Sequence, residues 1–447
     1  MKKNQIYLLL ILVFVALTGA IIYKYSAEKK EASIKAYGLL ERKGNAATTE
    51  EWKKTKQKAT DLKSAIDKDP TDTKSKLGLA SLFIQEARIS GDYAYYDQAA
   101  MKTINEVLAI DPNNFEALVF KSLIYYSQHH FADGLATAEK AKNINPYNAY
   151  VYGLMVDGNV EMGNYDSAVA NADRMVSIRP DLTSYSRVSY VREIYGDYKG
   201  AIDAMKLAVE AGGPGDEYTE WSRVQLGSLL EKTGDYKNAE ILYNISLNLR
   251  PDYPFAIAGL GRIAIAKKQY DSAIVRLEKA SSLIEDYSIK EELANAYKLS
   301  GQTKKADALS AFVIEELSKN AAAGNTDENI GHYADRELAY AYLKVNDKDK
   351  ALEHALLEYN RRPENIDVNE TLAWVYYNRN EISKALPYIK TALKTHSKNP
   401  VLLNRAALIF YKAGDKDMAK AMLAEKAANP YIDAVLQAET ASVMQNL

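Results

Sequence analysis

Gly196-Asp197-Tyr198-Lys199-Gly200-Ala201 is a stretch that recurs along the chain. Copies of its pattern, from close to loose, stand at 163–168, 234–239, 268–273, 301–306, 346–351, 380–385 and 414–419. The small residues that end these copies, with two earlier ones, are Ala100, Gly134, Ala168, Ala201, Ala239, Ala273, Ala306, Ala351, Ala385 and Ala419. The steps between them are 34, 34, 33, 38, 34, 33, 45, 34 and 34 residues. A period near 34 predicts an all-α solenoid built from stacked helix–turn–helix units.

Composition excludes several classes of protein. The 447 residues include 57 basic and 59 acidic side chains, so the charge gives no electrostatic indication of nucleic-acid binding. The chain has no cysteine, which excludes disulfides, thiolate metal sites and a cysteine nucleophile. Length alone would suggest two or three domains, but a solenoid grows by adding units without enlarging one core.

The N-terminus contains an apolar run of 18 residues at 6–23, after a short tail at 1–5. This length is at the threshold for a transmembrane helix, and it exceeds the usual core of a signal peptide. Thr18-Gly19-Ala20 could be a cleavage site, so secretion after cleavage is the alternative. The sequence favours an uncleaved anchor in the cell membrane, with the repeats outside the cytoplasm, in the periplasm.

The rest of the chain divides into four segments. Residues 24–70 hold a charged juxtamembrane stretch and capping helices at Ser33–Arg42 and Glu50–Lys68, around the breaker Lys43-Gly44-Asn45. Residues 71–325 and 326–430 are two parts of the repeat array. An over-long helix ending at a glycine near residue 325 is predicted to kink the array between them. Residues 431–447 have the apolar pattern of a C-terminal capping helix.

The spacing of small residues explains the repetition. Ser122, Ser189 and Gly227 each lie twelve residues before a member of the series, which predicts the point where the two helices of a unit cross. In the motif, glycine can end the first helix in the left-handed conformation, and the next Asp can cap the second helix. The tyrosine is expected to pack its ring on the pair while its hydroxyl reaches water. The motif is therefore interpreted as a structural turn.

The period, the spacing of small and aromatic residues and the terminal prolines resemble those of the tetratricopeptide repeat family. The resemblance covers about residues 34–430, or roughly ten units. It implies a right-handed superhelix whose concave groove is lined by the first helix of each unit.

The residues for common catalytic chemistry are not found. The five histidines show no metal-ligand spacing, and His129-His130 is expected at a turn, in a surface or capping role. Gly212-Gly213-Pro214-Gly215 lacks the lysine and hydroxyl residue of a phosphate loop. We therefore expect a protein that is not an enzyme and has no cofactor.

Function is expected in the groove, on first-helix residues outside the packing set. The candidates are Tyr150, Asp157, Arg187, Tyr190, Gln225, Arg262, Arg336, Tyr340, Trp374 and Tyr377. Arg187, Tyr190 and Arg262 are preferred, because an arginine fork matches a carboxylate and aromatic residues anchor interfaces. The prediction is a membrane-anchored scaffold that binds a segment of a protein partner. The alternative is a glycan-binding or small-ligand-binding accessory of an envelope enzyme.

Overall fold

The computed structural model of this protein describes residues 18–19, 37–324, 331–424 and 433–447. The chain divides into two bodies, residues 1–40 and residues 41–447. In the first body Thr18 and Gly19 are helical, and residues 37–40 have no regular secondary structure. The transmembrane helix predicted at 6–23 lies outside the described residues except at those two positions. Among the described residues, no helix combines the length and the apolar character needed to cross a membrane.

The second body is all helical in its described part, as predicted, with a 3-10 helix at Gly44–Thr48 and 22 α-helices. In chain order the α-helices are α1 (Glu50–Lys68), α2 (Thr73–Ser90), α3 (Tyr93–Ile110), α4 (Phe115–Ser127), α5 (Phe131–Ile144), α6 (Ala149–Met162), α7 (Tyr165–Ile178), α8 (Leu182–Ile194), α9 (Tyr198–Ala211), α10 (Glu217–Lys232), α11 (Tyr236–Leu249), α12 (Pro254–Ala266), α13 (Tyr270–Leu283), α14 (Tyr287–Leu299), α15 (Thr303–Gly324), α16 (Asp335–Lys344), α17 (Lys348–Arg361), α18 (Ile366–Asn378), α19 (Ile382–Ala392), α20 (Pro400–Lys412), α21 (Lys416–Ala424) and α22 (Ala434–Met444).

Helices α2 to α21 form ten antiparallel pairs, which we number repeats 1 to 10. Each repeat begins with an even-numbered helix and ends with an odd-numbered one. Helix α1 is the second helix of an incomplete repeat before repeat 1. The helix predicted at Ser33–Arg42 is wrong for residues 37–42, which are not helical. Arg42 there forms ion pairs with Glu51 and Glu86, each at 2.7 Å, so its place in the fold is fixed by charge pairing.

The two helices of a repeat cross where the small residues were predicted to meet. The Ser122 hydroxyl donates to the Gly134 carbonyl at 2.8 Å, and the Ser189 hydroxyl donates to the Ala201 carbonyl at 2.7 Å. Ala201 is fully buried. These bonds across the crossing show why a larger side chain would separate the helices.

The recurring motif forms the turn between the two helices. Gly196 has a φ of 74°, which is the left-handed conformation that glycine adopts most easily. The Asp197 carboxylate accepts from the Gly200 amide at 2.9 Å and caps the next helix. The predicted turn geometry is therefore confirmed in this repeat.

The turn inside each of repeats 1 to 4 contacts the loop that precedes the repeat six places later. The contacts are Glu285 N to Ser90 O at 3.0 Å, His130 Nε2 to Gly331 O at 3.0 Å, Asn365 Nδ2 to Glu161 O at 3.0 Å, and Gly196 against the His396 carbonyl. The incomplete first repeat follows the same rule, because the Asn45 amide donates to Asp252 before repeat 6. The solenoid therefore returns to itself after six repeats. We call repeats 1–4 the first coil, repeats 7–10 the second coil, and their contact the coil interface.

The later part of the array contains its longest described helix and its last one. Helix α15 has 22 residues and ends at Gly324, where residues 325–330 lie outside the described chain. The predicted kink near residue 325 therefore stays a prediction. Helix α22 contributes Leu436 and Val443 to the core of repeats 8–10, and Glu439 accepts a hydrogen bond from the Tyr377 hydroxyl at 3.3 Å.

Candidate partner-binding cavity

All ten predicted groove residues lie on first helices of the repeats. Tyr150 and Asp157 are on α6, Arg187 and Tyr190 on α8, Gln225 on α10, Arg262 on α12, Arg336 and Tyr340 on α16, and Trp374 and Tyr377 on α18. Gln225 is half-buried. Seven of the others lie in three clusters along the array, with Arg187, Tyr190 and Arg262 in three different clusters. Trp374 and Tyr377 form an aromatic pair near the end of the array.

The cluster of repeats 3 and 4 is built around an ion pair. Arg187 Nη2 lies 2.6 Å from Asp157 Oδ2, and Arg187 Nε donates to Asp157 Oδ1 at 2.9 Å. Nη1 donates to the Thr183 carbonyl at 3.1 Å, and the guanidinium carbon lies 5.7 Å from the ring centre of Tyr150. All three guanidinium nitrogens are therefore held by the chain itself, and the pair joins α6 to α8.

The cluster of repeats 5 to 7 is held by Arg262. Its Nη2 lies 3.1 Å from Glu231 Oε1, and its Nη1 lies 3.1 Å from Glu292 Oε1. Burial raises the pKa of Glu292 in spite of this pairing. One arginine thus bridges α10, α12 and α14, so its fork is already engaged with carboxylates of this chain.

The interior is also filled between repeats 1 and 5. Arg88 on α2 lies 3.1 Å from Glu217 on α10, and its guanidinium carbon lies 4.3 Å from the ring centre of Tyr218. These side chains therefore interrupt the groove in this part of the array.

The third cluster surrounds a cavity of about 270 Å³ between repeats 3–5 and repeats 8–10. Tyr190, Arg336 and Tyr340 are the predicted residues that line it. The charged residues of the lining outside the predicted set are Glu193, Lys232, Asp367, Glu370 and Arg405. The structure therefore brings three of the ten predicted residues together in one cavity.

Four of these charged groups are paired. Lys232 Nζ lies 2.5 Å from Glu193, and Arg405 Nη1 lies 2.5 Å from Glu370. The Tyr340 hydroxyl donates to Glu370 at 2.6 Å. These pairs cancel in charge and fix the walls of the cavity.

Arg336 and Asp367 are less fully engaged. Arg336 Nε donates to Thr371 Oγ1 at 3.2 Å, and among the described residues neither of its Nη atoms has an acceptor at hydrogen-bonding distance. Burial opposes its charge, but Asp367 and Tyr340 raise the pKa of Arg336, so it stays protonated. Asp367 keeps an exposed side chain. The cavity thus offers both hydrogen-bond donors and an acceptor.

The aromatic residues near the end of the array are covered. The rings of Trp374 and Tyr377 stack with centres 4.8 Å apart, and Arg405 lies 4.8 Å from the Trp374 centre. Lys412 lies 4.4 Å from the ring centre of Tyr377. These ring faces are occupied by side chains of the protein, which leaves them little room to stack on a sugar.

Of the cavity residues that the sequence analysis missed, one could have been identified from the sequence. Arg405 lies two residues before the small residue Ala407, at the repeat position that Arg187 has before Ser189. The roles of Lys232 and Asp367 had no such signal, because they depend on the contact between the coils.

The expected surface or capping role of His129-His130 is wrong. His130 is 2% exposed, and the ring centres of His130 and Tyr333 are 4.0 Å apart. No side chain caps the N-terminus of α5 at His130. Both histidines lie at the coil interface, which the sequence of a single repeat does not reveal.

Comparison with known proteins identifies the repeat in part of the chain. The family model described as tetratricopeptide repeat matches residues 222–253, which include most of α10 and all of α11. RNA polymerase-associated protein CTR9 from Caenorhabditis elegans is 26% identical over 180 residues, which are 40% of this chain and 15% of that relative.

Two solved structures show helical likeness at low identity. The Cut9-Hcn1 hetero-tetramer of APC/C has a TM-score of 0.45 at 15% identity, covering 80% of this chain and 64% of that one. A tetratricopeptide repeat protein from Parabacteroides merdae has a TM-score of 0.42 at 16% identity, covering 56% of this chain and 99% of that one. Tetratricopeptide repeats generally bind protein partners. The family match falls on repeat 5 and supports a tetratricopeptide repeat there, one of the ten helix pairs that the structure describes.

Proposed function

We propose that this protein is a non-catalytic scaffold that binds a segment of a protein partner at the cavity between the coils. The observation that carries the proposal is that Arg336 and Asp367, which both line this cavity, have polar groups left over for a ligand. Arg336 offers N–H groups without an acceptor among the described residues, and Asp367 offers an exposed carboxylate. A group that both accepts and donates hydrogen bonds would satisfy both residues.

The size of the cavity limits what can enter it. Ligand pockets for small molecules usually measure about 300–1,000 Å³, and this cavity of about 270 Å³ lies just below that range. It suits one or two side chains rather than a whole helix. An asparagine or glutamine side chain has the required acceptor and donors in one amide group. We infer that such a side chain, presented by the partner, enters between Tyr190 and Tyr340.

The proposal includes a membrane tether. The apolar run at 6–23 is its support, as a single anchor that leaves the repeats outside the cytoplasm. A tethered solenoid would gather its partner at the membrane surface.

A peptide library displayed against the purified full chain tests the cavity. We expect enriched peptides to share Asn or Gln at one position. Arg336→Ala should raise the Kd of such a peptide at least about tenfold, because hydrogen bonds to charged groups contribute about 1.5–3 kcal/mol. Asp367→Ala should weaken the same peptide by a similar factor.

Arg192→Ala is the matched control, since Arg192 is exposed on the same helix as Tyr190 and does not line the cavity. Its Kd should equal that of the unmodified protein. Enriched peptides that bind the Arg336 and Asp367 variants with unchanged affinity would refute the site. Failure to enrich any peptide would count against the scaffold itself.

A further inference from the structure

The coil interface between repeats 2 and 8 gathers two imidazoles and a carboxylate. His129 lies in the turn of repeat 2, His332 in the loop before repeat 8, and Glu337 in the first turn of α16. The ring centres of the two histidines are 4.1 Å apart. One ligand atom from each of the three residues lies within 4.8 Å of the others.

Hydrogen bonds fix which nitrogen of each ring is available. His129 Nδ1 lies 3.1 Å from the Tyr333 carbonyl, and His332 Nδ1 lies 3.2 Å from the Ser127 carbonyl. A carbonyl oxygen can only accept, so each Nδ1 carries the proton and each Nε2 keeps its lone pair. Metal-binding histidines are held in this way, with the second nitrogen donating to a carbonyl.

Among the residues that the structure describes, none provides a partner for one buried oxygen of the carboxylate. Oε2 of Glu337 is buried and accepts no hydrogen bond from them. Its Oε1 lies 3.9 Å from His129 Nδ1. A carboxylate oxygen and one ring nitrogen of each histidine thus lie within 4.8 Å of one another, an arrangement that a bound cation would stabilise.

We propose that His129, His332 and Glu337 bind a divalent transition-metal ion, zinc or one with similar preferences, which ties repeat 2 to repeat 8. Two histidines and one glutamate are a known zinc ligand set that leaves a position for water. In such a site the ligand atoms lie roughly 3.3 Å apart, given bond lengths of about 2.0–2.1 Å, so binding would draw the three side chains closer together.

The surroundings favour a metal that binds nitrogen strongly. The positive charges of Arg362 and Arg336 act on His129 and oppose a weakly held cation. Calcium and magnesium prefer oxygen ligands, whereas imidazole suits zinc, cobalt and nickel.

The inference is independent of the proposed partner, and a metal titration tests it directly. Metal-free full chain is titrated with Co²⁺, and the d–d absorption of the bound ion is recorded. We expect one equivalent to bind and Zn²⁺ to displace it. Glu337→Gln and His332→Gln should each weaken Co²⁺ binding at least about tenfold, because even outer-shell changes cost 10–100-fold in metal affinity.

The control is His396→Asn, which replaces an exposed histidine with a φ of 57° by a residue that tolerates this conformation. Its Co²⁺ affinity should equal that of the unmodified chain. The thermal midpoint should rise with Zn²⁺ in the control and stay constant in the Glu337 variant, which separates lost binding from lost folding. Absence of Co²⁺ binding in the unmodified chain, or equal binding in the Glu337 variant, would overturn the proposal.

Discussion

The same glycine of the same motif serves two different purposes in the two parts of the array. In repeats 1, 3 and 4, a Cβ added to the turn glycine would lie 2.3, 2.3 and 2.7 Å from a carbonyl oxygen of the second coil. These glycines are Gly91, Gly163 and Gly196. In repeats 5, 7 and 10, nothing lies within 4 Å of that position at Gly234, Gly301 and Gly414. All six have a positive φ. The other four repeats reach the same left-handed backbone with His129, Lys268, Asn346 or Asn380. Only the glycines of repeats 1, 3 and 4 are also required because a side chain would meet the second coil.

Removal of the Arg362 side chain should lower the stability of the coil interface most. Arg362 is 5% exposed, lies in the loop before repeat 9, and pairs with Glu161 of the first coil and with Glu358. Arg362→Ala should lower the free energy of unfolding by about 3–5 kcal/mol at pH 8, because it leaves buried carboxylates with fewer partners. Urea unfolding of the full chain measures this.

Arg379→Ala is the counterpart in the turn of repeat 9, which no repeat in the described part of the chain covers. Arg379 pairs with Asp349 and Glu381 within the second coil. We expect a loss of about 1 kcal/mol or less, as for surface pairs. Equal losses in the two variants would mean that the coil interface contributes little to stability.

Substitution of the turn glycines tests the comparison directly. Gly163→Ala combines the cost of a left-handed alanine with a clash against the Glu364 carbonyl, so we expect a loss of about 2–4 kcal/mol. Gly301→Ala has only the backbone cost and should lose about 1 kcal/mol. The denaturation midpoints of the two variants are compared with that of the unmodified chain. Identical shifts in the two variants would contradict the clash.

The pH dependence of stability should reveal a buried acid in repeat 1. Asp97 stands three residues before Ala100, where repeats 3 to 6 have tyrosine. Burial raises the pKa of Asp97 to about 7, although a hydrogen bond with Ser127 lowers it. In the unfolded chain its pKa is about 3.9, so the folded protein binds a proton that the unfolded protein releases. Stability from this group is therefore present at low pH and is lost as the pH rises through about 7.

Between pH 5 and pH 8 this loss should amount to about 2.5 kcal/mol. The quantity to measure is the difference in unfolding free energy between the unmodified chain and Asp97→Asn at each pH, since other groups also titrate. A difference that does not change with pH would show that Asp97 is ionised throughout.

The smallest expected effect concerns the motif tyrosine. Tyr165 is 6% exposed, and its hydroxyl accepts from the Ile366 amide across the coil interface at 2.8 Å. Tyr165→Phe should lose about 1–2 kcal/mol and speed hydrogen exchange of that amide. Tyr270→Phe, at the same motif position in repeat 6, should lose less than about 0.5 kcal/mol. A protected Ile366 amide in the first variant would exclude this contact.

The sequence predicts the repeat well because each repeat carries its own evidence. Small residues mark the helix crossing at Ser122 and Ser189, and glycine with aspartate marks the turn. These are local requirements, so they recur every 34 residues or so. The environment of the motif tyrosine was predicted incorrectly in repeat 3, where the hydroxyl of Tyr165 meets a backbone amide of the second coil instead of water.

The coil interface could not be predicted, and the site depends on it. The return after six repeats results from small rotations between neighbours that add up along the array, and no residue of one repeat encodes their sum. The positions of Arg336, Tyr340 and Arg187 on first helices follow from the register. The cavity between Tyr190 and Arg336, and the meeting of His129 with His332, follow from the contact between coils.

The return after six repeats has a consequence for synthesis. The hydrogen bond from Ile366 to Tyr165 joins residues 201 positions apart, and loop closure over such a distance slows folding. On the ribosome, repeats 1 to 4 are complete long before repeats 7 to 10 emerge. The turns of the nascent first coil therefore remain uncovered until the second coil is made. A deletion of one whole repeat between the two coils would place every turn opposite the wrong loop. An ordinary solenoid tolerates gain and loss of repeats. In this chain the contacts between the two coils form only when the number of repeats between them is unchanged.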